Sequence, residues 1–194
     1  MSAPMSTVTQ ERLVFSPSVE ALLMRGVGHR MTPRLHAELR ELGIDLGKPL
    51  LPAYPSETWE RAVEWVARAL YPELSMGEAQ WKLGESTVYG FEQTVLGKAM
   101  VALSKLIGPR RALLRFPTMS RSSNNYSSMK LRELGPADFE VVCEPFMGWS
   151  EYVQGCIRAV LDVTGAKDPK VELVSHQREA ERLVLRATWR DDRV

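Results

Sequence analysis

Hydrophobic positions recur at helical spacing through most of the chain and change to strict alternation near its end. From Leu13 the pattern is helical. Ser18 is placed to cap a helix in which Val19, Leu22 and Leu23 share a face, ending near Gly26 and Gly28. Thr32 followed by Pro33 opens a second helix through Leu35, Leu39 and Leu42, and Gly43 stops it. The three prolines of LGKPLLPAYPSET predict an ordered, extended connector whose leucines and Tyr54 pack onto the body. A third helix is expected from a capping box at Ser56, with Trp59 and Glu60 close behind. It runs to about Leu70, turns Val63, Val66, Ala67 and Leu70 inward, and ends at Tyr71 and Pro72.

The longest helical pattern runs from Ser75 to Ile107. Val88, Phe91, Val95, Ala99, Ala102 and Leu106 form one stripe that is expected to belong to the core. A second stripe, Ser86, Gly90, Thr94 and Gly97, consists of small residues. Glycine weakens a helix interior by roughly 0.5–1 kcal/mol relative to alanine, so Gly90 and Gly97 need a compensating reason. A groove of this kind admits another backbone at short range or a flat or elongated ligand. The pattern also allows two helices broken near Gly84 or Gly97. Gly108 and Pro109 end the segment, and the Ser- and Asn-rich run after Pro117 reads as a loop.

KLREL and FEVVCE, joined by Gly135, Pro136, Ala137 and Asp138, then read as a hairpin with Phe139, Val141 and Cys143 on one face. Residues 149–164 return to helical spacing between Gly148 and Gly165. KVELVSH and RLVLRATW, separated by QREAE, close the chain as a second hairpin. The predicted class is α+β, an N-terminal helical layer packed on a small, mostly antiparallel C-terminal sheet made of hairpin, helix and hairpin. Residues 1–12 are expected to be a flexible tail and 13–190 a single globular domain.

The chain has 194 residues, 44% of them hydrophobic, which suits one domain with its own core. Its 25 basic and 24 acidic residues nearly cancel, so the broad positive field of a general nucleic-acid binder is absent and no nucleic-acid partner is expected. No apolar run approaches the roughly 18–20 residues that cross a bilayer, and the first residues do not read as a secretion signal. The expectation is a cytoplasmic protein without a transmembrane segment. Cys143 and Cys156 form no CxxC pair and read as buried thiols.

His29, His36 and His176 do not make a metal-ligand pattern, and no haem-attachment motif or marked axial residue is present, so the cofactor is left unknown and no metal is assigned. There is no GxSxG elbow, no phosphate-binding glycine loop, and no cysteine with a histidine near it in sequence. SRSSNNYSS offers hydroxyl and amide groups beside Arg121 that suit either a polar headgroup or a self-bonded loop. Arg110, Arg111 and Arg115 suit an anionic group, helix C-terminal carbonyls or plain solvent.

WKLG, YGFEQTVLGKAM, LIGPRRALLRFP, NNY, ELGP and GWSEYVQGCIRAVLDVTGA resemble the signature of a family of myxobacterial paralogues of unknown function. VFSPSVEALLMRGVG and LPAYPSETW extend the likeness over nearly the whole chain from Leu13. The order of elements is also similar to the ligand-binding fold shared by bacterial vinyl-reductase-like domains, haem nitric-oxide sensors and small subunits of Golgi transport tethers. That likeness implies a helical layer and sheet enclosing an apolar pocket or forming a dimer surface, and it carries no matched haem ligand.

The expected function is therefore a non-enzymatic binding or sensory domain for a small lipid-like molecule. Gly90, Thr94 and Gly97 would allow close approach, Phe91, Val95, Tyr152 and Cys156 would form walls, and Arg110, Arg111, Arg115 and Arg121 would meet an anionic end. A homodimerisation or protein-interaction module without a small ligand is the alternative, and an enzyme whose residues assemble only in space is a third.

Overall fold

A computed structural model of the chain describes residues 11–146 and 148–190. Residues 1–10 of the expected tail lie outside the described residues, while Arg12 makes a two-pronged ion pair with Glu181 at 3.0 Å. The first element is extended, not helical. Strand β1 (Leu13–Phe15) pairs antiparallel with β2 (Ala53–Pro55), Val14 opposite Tyr54. Its backbone partners are distant in sequence, which no local pattern reveals. The N–H of Phe15 donates to the Ser123 carbonyl at 2.9 Å, and that of Leu13 to the Asn125 side chain at 2.8 Å.

Helix α1 (Ser16–Val19) begins ahead of Ser18 and continues as a π-helical stretch, Glu20–Gly26, that buries Ala21, Leu22 and Leu23. Ser18 caps nothing; its hydroxyl donates to the Ser123 carbonyl at 3.4 Å. Thr32 does cap α2 (Pro33–Glu41), accepting from the Leu35 N–H at 3.2 Å. Helix α3 (Ser56–Leu70) lacks the expected capping box, which opens α4 (Met76–Glu92) instead, where Ser75 and Glu78 bond each other's backbone. The third residue after the cap makes the difference. Glu78 has an acceptor to return, whereas Trp59 has none.

The long fourth segment is two helices, broken close to Gly97 as the pattern allowed and not near Gly84. Gln93 and Thr94 turn the chain after α4, and Thr94 caps α5 (Val95–Ser120) by accepting from the Gly97 N–H at 3.0 Å. Helix α5 is itself divided at Gly108, whose φ of 77° and ψ of 168° are open to glycine but strained for other residues. Pro109 then opens a second half that continues past Pro117. A stripe that is continuous on a straight helix is split by such a turn. Val88 and Phe91 stay partly buried, but Val95, Ala99, Ala102 and Leu106 face solvent, correcting the expectation that all six are core.

Strands β3 (Met129–Gly135) and β4 (Asp138–Cys143), helix α6 (Ser150–Val163), and strands β5 (Lys167–Gln177) and β6 (Arg182–Arg190) complete the chain. The sheet is antiparallel, in the order β3-β4-β6-β5. Phe139, Val141 and Cys143 are buried opposite Ala187, Leu185 and Leu183, the face that alternation predicts. The architecture is α+β as expected, with two apolar cores. One gathers Val19, Leu22, Leu39, Tyr54, Val63 and Leu83 among the N-terminal helices, and the other gathers Leu113, Ile157 and Leu161 against the sheet.

Helices α4 and α6 connect the cores at very short range. A Cβ on Gly84 would fall on the Tyr152 carbonyl, and one on Gly155 on the Trp81 carbonyl. Each glycine therefore seats the other helix's backbone.

Candidate functional site

The two halves of α5 present residues at helical spacing to the same chamber, half open to solvent: Leu96, Met100 and Ser104 from the first, Ala112, Phe116 and Met119 from the second. Helix α4 contributes Thr87, Val88 and Phe91 to this chamber. Cys156, Val160 and Val163 come from successive turns of α6. The chamber measures about 160 Å³. A second, of about 170 Å³, is lined by Val14, Trp59, Glu60, Tyr126, Phe146, Trp149 and Tyr152. Ser18, Thr87, Phe116, Ser120, Ser123 and Cys156 belong to both walls, so the two chambers adjoin.

The walls carry the Thr87 hydroxyl, the Tyr126 and Tyr152 phenols, the Cys156 thiol and the Glu60 carboxyl. The hydroxyls of Thr87 and Tyr152 share a hydrogen bond of 2.6 Å. Burial pushes the Tyr152 phenol well above its usual range. It also pushes the Cys156 thiol up to about 12, and Sγ donates to the Gly84 carbonyl at 3.4 Å. The Tyr126 phenol is raised to about 12, again chiefly by burial. Burial, with Glu57 nearby, also raises the Glu60 carboxyl, on which Arg12 acts in the opposite direction. The Arg12 guanidinium lies 6.0 Å from the Tyr126 ring centre. Its Nη1 is buried with no hydrogen-bond partner among the described residues.

The proposed site residues are only partly brought together. Phe91 and Cys156 line the apolar chamber, and Tyr152 and Cys156 line its neighbour. Gly90 lies against the chain's own backbone: a Cβ there would fall on the Ala21 carbonyl, and one on Gly26 would fall on the Ser86 carbonyl. Gly97 is pressed against the Phe91 carbonyl and the Thr94 cap. Val95 is exposed.

Arg110 forms a two-pronged ion pair with Glu133, its Nε at 2.7 Å, and Arg111 lines an open cleft whose wall shares no residue with either chamber. Arg115 and Arg121 are exposed. The Ser/Asn loop is largely self-bonded, since Asn124 Oδ1 accepts from the N–H groups of Tyr126 and Ser127 and from the Ser127 hydroxyl. Thr87, Met100, Ala112, Phe116 and Val160 were not expected in a wall. The spacing of Cys156, Val160 and Val163 is legible in the sequence, but the folding back of α5 onto α4 and α6 is not.

The model of a family described as a protein of unknown function (DUF2378) matches residues 12–190. No curated protein matches. Among solved structures, one described as structural insights into the molecular mechanism of H-NOX activation shares 12% identity and a TM-score of 0.64, covering 92% of this chain and 97% of that one. Another, on modulating haem redox potential through protein-induced porphyrin distortion, shares 12% and 0.62 over 90% and 95%. An Fe(II) unliganded H-NOX mutant from K. algicida shares 9% and 0.63 over 91% and 96%. At these identities the likeness is one of fold, and it bears out the expected similarity to haem nitric-oxide sensors.

Haem is implied by that fold, but the chamber residues do not fit it. Among the described residues, neither wall contains a histidine. His29 is exposed on a turn of 3₁₀ helix, His36 lies on α2, and His176 on β5 packs edge-on against Phe146 at 5.4 Å between ring centres. Cys156 and Tyr152 are already engaged, the thiol with the Gly84 carbonyl and the phenol with the Thr87 hydroxyl.

Proposed function

This chain belongs to the DUF2378 family of proteins of unknown function, and from that premise we propose that it is a non-enzymatic binding or sensory domain taking a slender, lipid-like apolar molecule. The observation that carries this reading is the pair of adjoining chambers between α4, α6 and the divided α5, where Phe91, Met100, Val101, Phe116, Met119 and Val160 surround the apolar end. Sites for drug-sized ligands occupy roughly 300–1,000 Å³, predominantly apolar with a few polar groups that fix orientation. Either chamber alone is smaller than that; taken together they favour a flexible chain over a planar macrocycle. Thr87, Tyr152 and Glu60 stand where a polar end would be received. A cytoplasmic location accords with this reading.

Native mass spectrometry of the purified protein tests it. A small-molecule mass retained under gentle conditions and lost on denaturation is the expected result. A bare monomer that takes up no long-chain fatty acid would contradict the proposal. A ligand-free dimer would favour the interaction-module alternative.

A further inference from the structure

The first half of α5, residues 95–107, turns apolar side chains to water. Val95 is 91% exposed, Leu106 86% and Leu103 50%. With Ala99 and Ala102 they form one outward face, while Gly97 and Val101 are buried on the opposite side. Scattered exposed leucines are ordinary, but a contiguous face of this kind marks an interaction surface.

Charge identifies the partner. From Gln93 to Leu131 the sequence has seven basic residues and no aspartate or glutamate, in a chain whose net charge is only +1. Lys98 and Lys105, seven residues apart, run along one border of the apolar face, where long stems can lie on apolar surface while the ammonium groups reach outward. Beside Leu106 opens a cleft of about 540 Å³ lined by Lys105, Arg110, Arg111, Lys167 and Arg190 together with Trp189, with no acidic residue among the described residues of its wall. Arg110 is paired with Glu133, Lys105 with Glu92 and Arg190 with Asp168, whereas Arg111, Arg115 and Lys98 face solvent.

We propose that this helix and the basic cleft at its end form a docking surface for an anionic phospholipid membrane, the leucines and valine entering the interface and the cleft receiving headgroup phosphates. An apolar stripe bordered by basic residues lies in the plane of such an interface, and anionic lipids attract the charges around it. A second copy of the chain is disfavoured as occupant, because a two-fold contact would set this basic surface against itself. The inference does not rest on the interior chambers.

Flotation with vesicles of phosphatidylcholine, alone or with about a third phosphatidylglycerol, tests it. Binding is expected to the anionic vesicles only, to weaken with added salt, and to fall at least about tenfold in Leu106→Asp and in Arg111→Glu, both exposed positions whose circular dichroism should not change. Absence of binding to anionic vesicles at low salt would overturn the proposal. So would equal binding to phosphatidylcholine alone, binding undiminished in Leu106→Asp, or a dimer in size-exclusion chromatography that this substitution dissociates.

Discussion

A Cβ on Gly90 would fall on the Ala21 carbonyl and one on Gly26 on the Ser86 carbonyl, so two backbones meet where α4 crosses the π-helical stretch. Backbone on both sides cannot swing aside as a flexible side chain can. Gly90→Ala should therefore destabilise the protein by about 2–4 kcal/mol, more than its gain in helix propensity, measured as a lower urea midpoint at unchanged slope. A neutral substitution would mean that the crossing is looser than described. The sequence makes the row of small residues visible and leaves open whether a ligand or a backbone fills it. A neighbouring stretch of the same chain, too remote in sequence for periodicity to reveal, fills it at Gly90. Polar capping was legible where both partners stand in the right register, as at Thr32, and misread at Ser56, where Trp59 stands in place of the required acceptor.

Helix α5 shows what periodicity can and cannot carry. Val95, Ala99, Ala102 and Leu106 continue the spacing of Val88 and Phe91, yet the turn at Gln93 and Thr94 sends them outward. Hydrophobic spacing reports that residues share a face of a helix; it does not report which way the face points after a break. Thr94 holds the first turn of α5 by accepting from the Gly97 N–H. Thr94→Ala should cost about 1 kcal/mol. Hydrogen exchange should quicken mainly over residues 95–107, which bury only Gly97 and Val101, and little in the sheet. Uniform acceleration across the chain would show that this helix does not open separately. Since Leu96 and Met100 line the apolar chamber, such opening would also expose the interior.

The broad architecture, helices followed by two hairpins around a helix, was readable because alternation and helical spacing are strong in β4, β6 and α6. The pairing of β1 with β2 was not, since the two strands lie far apart in sequence, as does the loop around Ser123 and Asn125 that also bonds β1. Of the proposed site residues, Phe91, Tyr152 and Cys156 line the chambers, whose remaining walls exist only once α5 has folded back at Gly108. The fold is similar to that of H-NOX structures, while the described residues of the two walls include no histidine and engage their thiol and phenol in hydrogen bonds within the chain. That contrast makes occupancy by an apolar chain the central claim. The most direct measurement is fluorescence titration of delipidated protein with a long-chain fatty acid that brightens in apolar surroundings, compared with Val160→Phe, which fills the chamber. Saturable one-to-one binding, weakened at least about tenfold in a variant that stays folded, is the predicted result. No saturable signal, or equal binding by Val160→Phe, would contradict it.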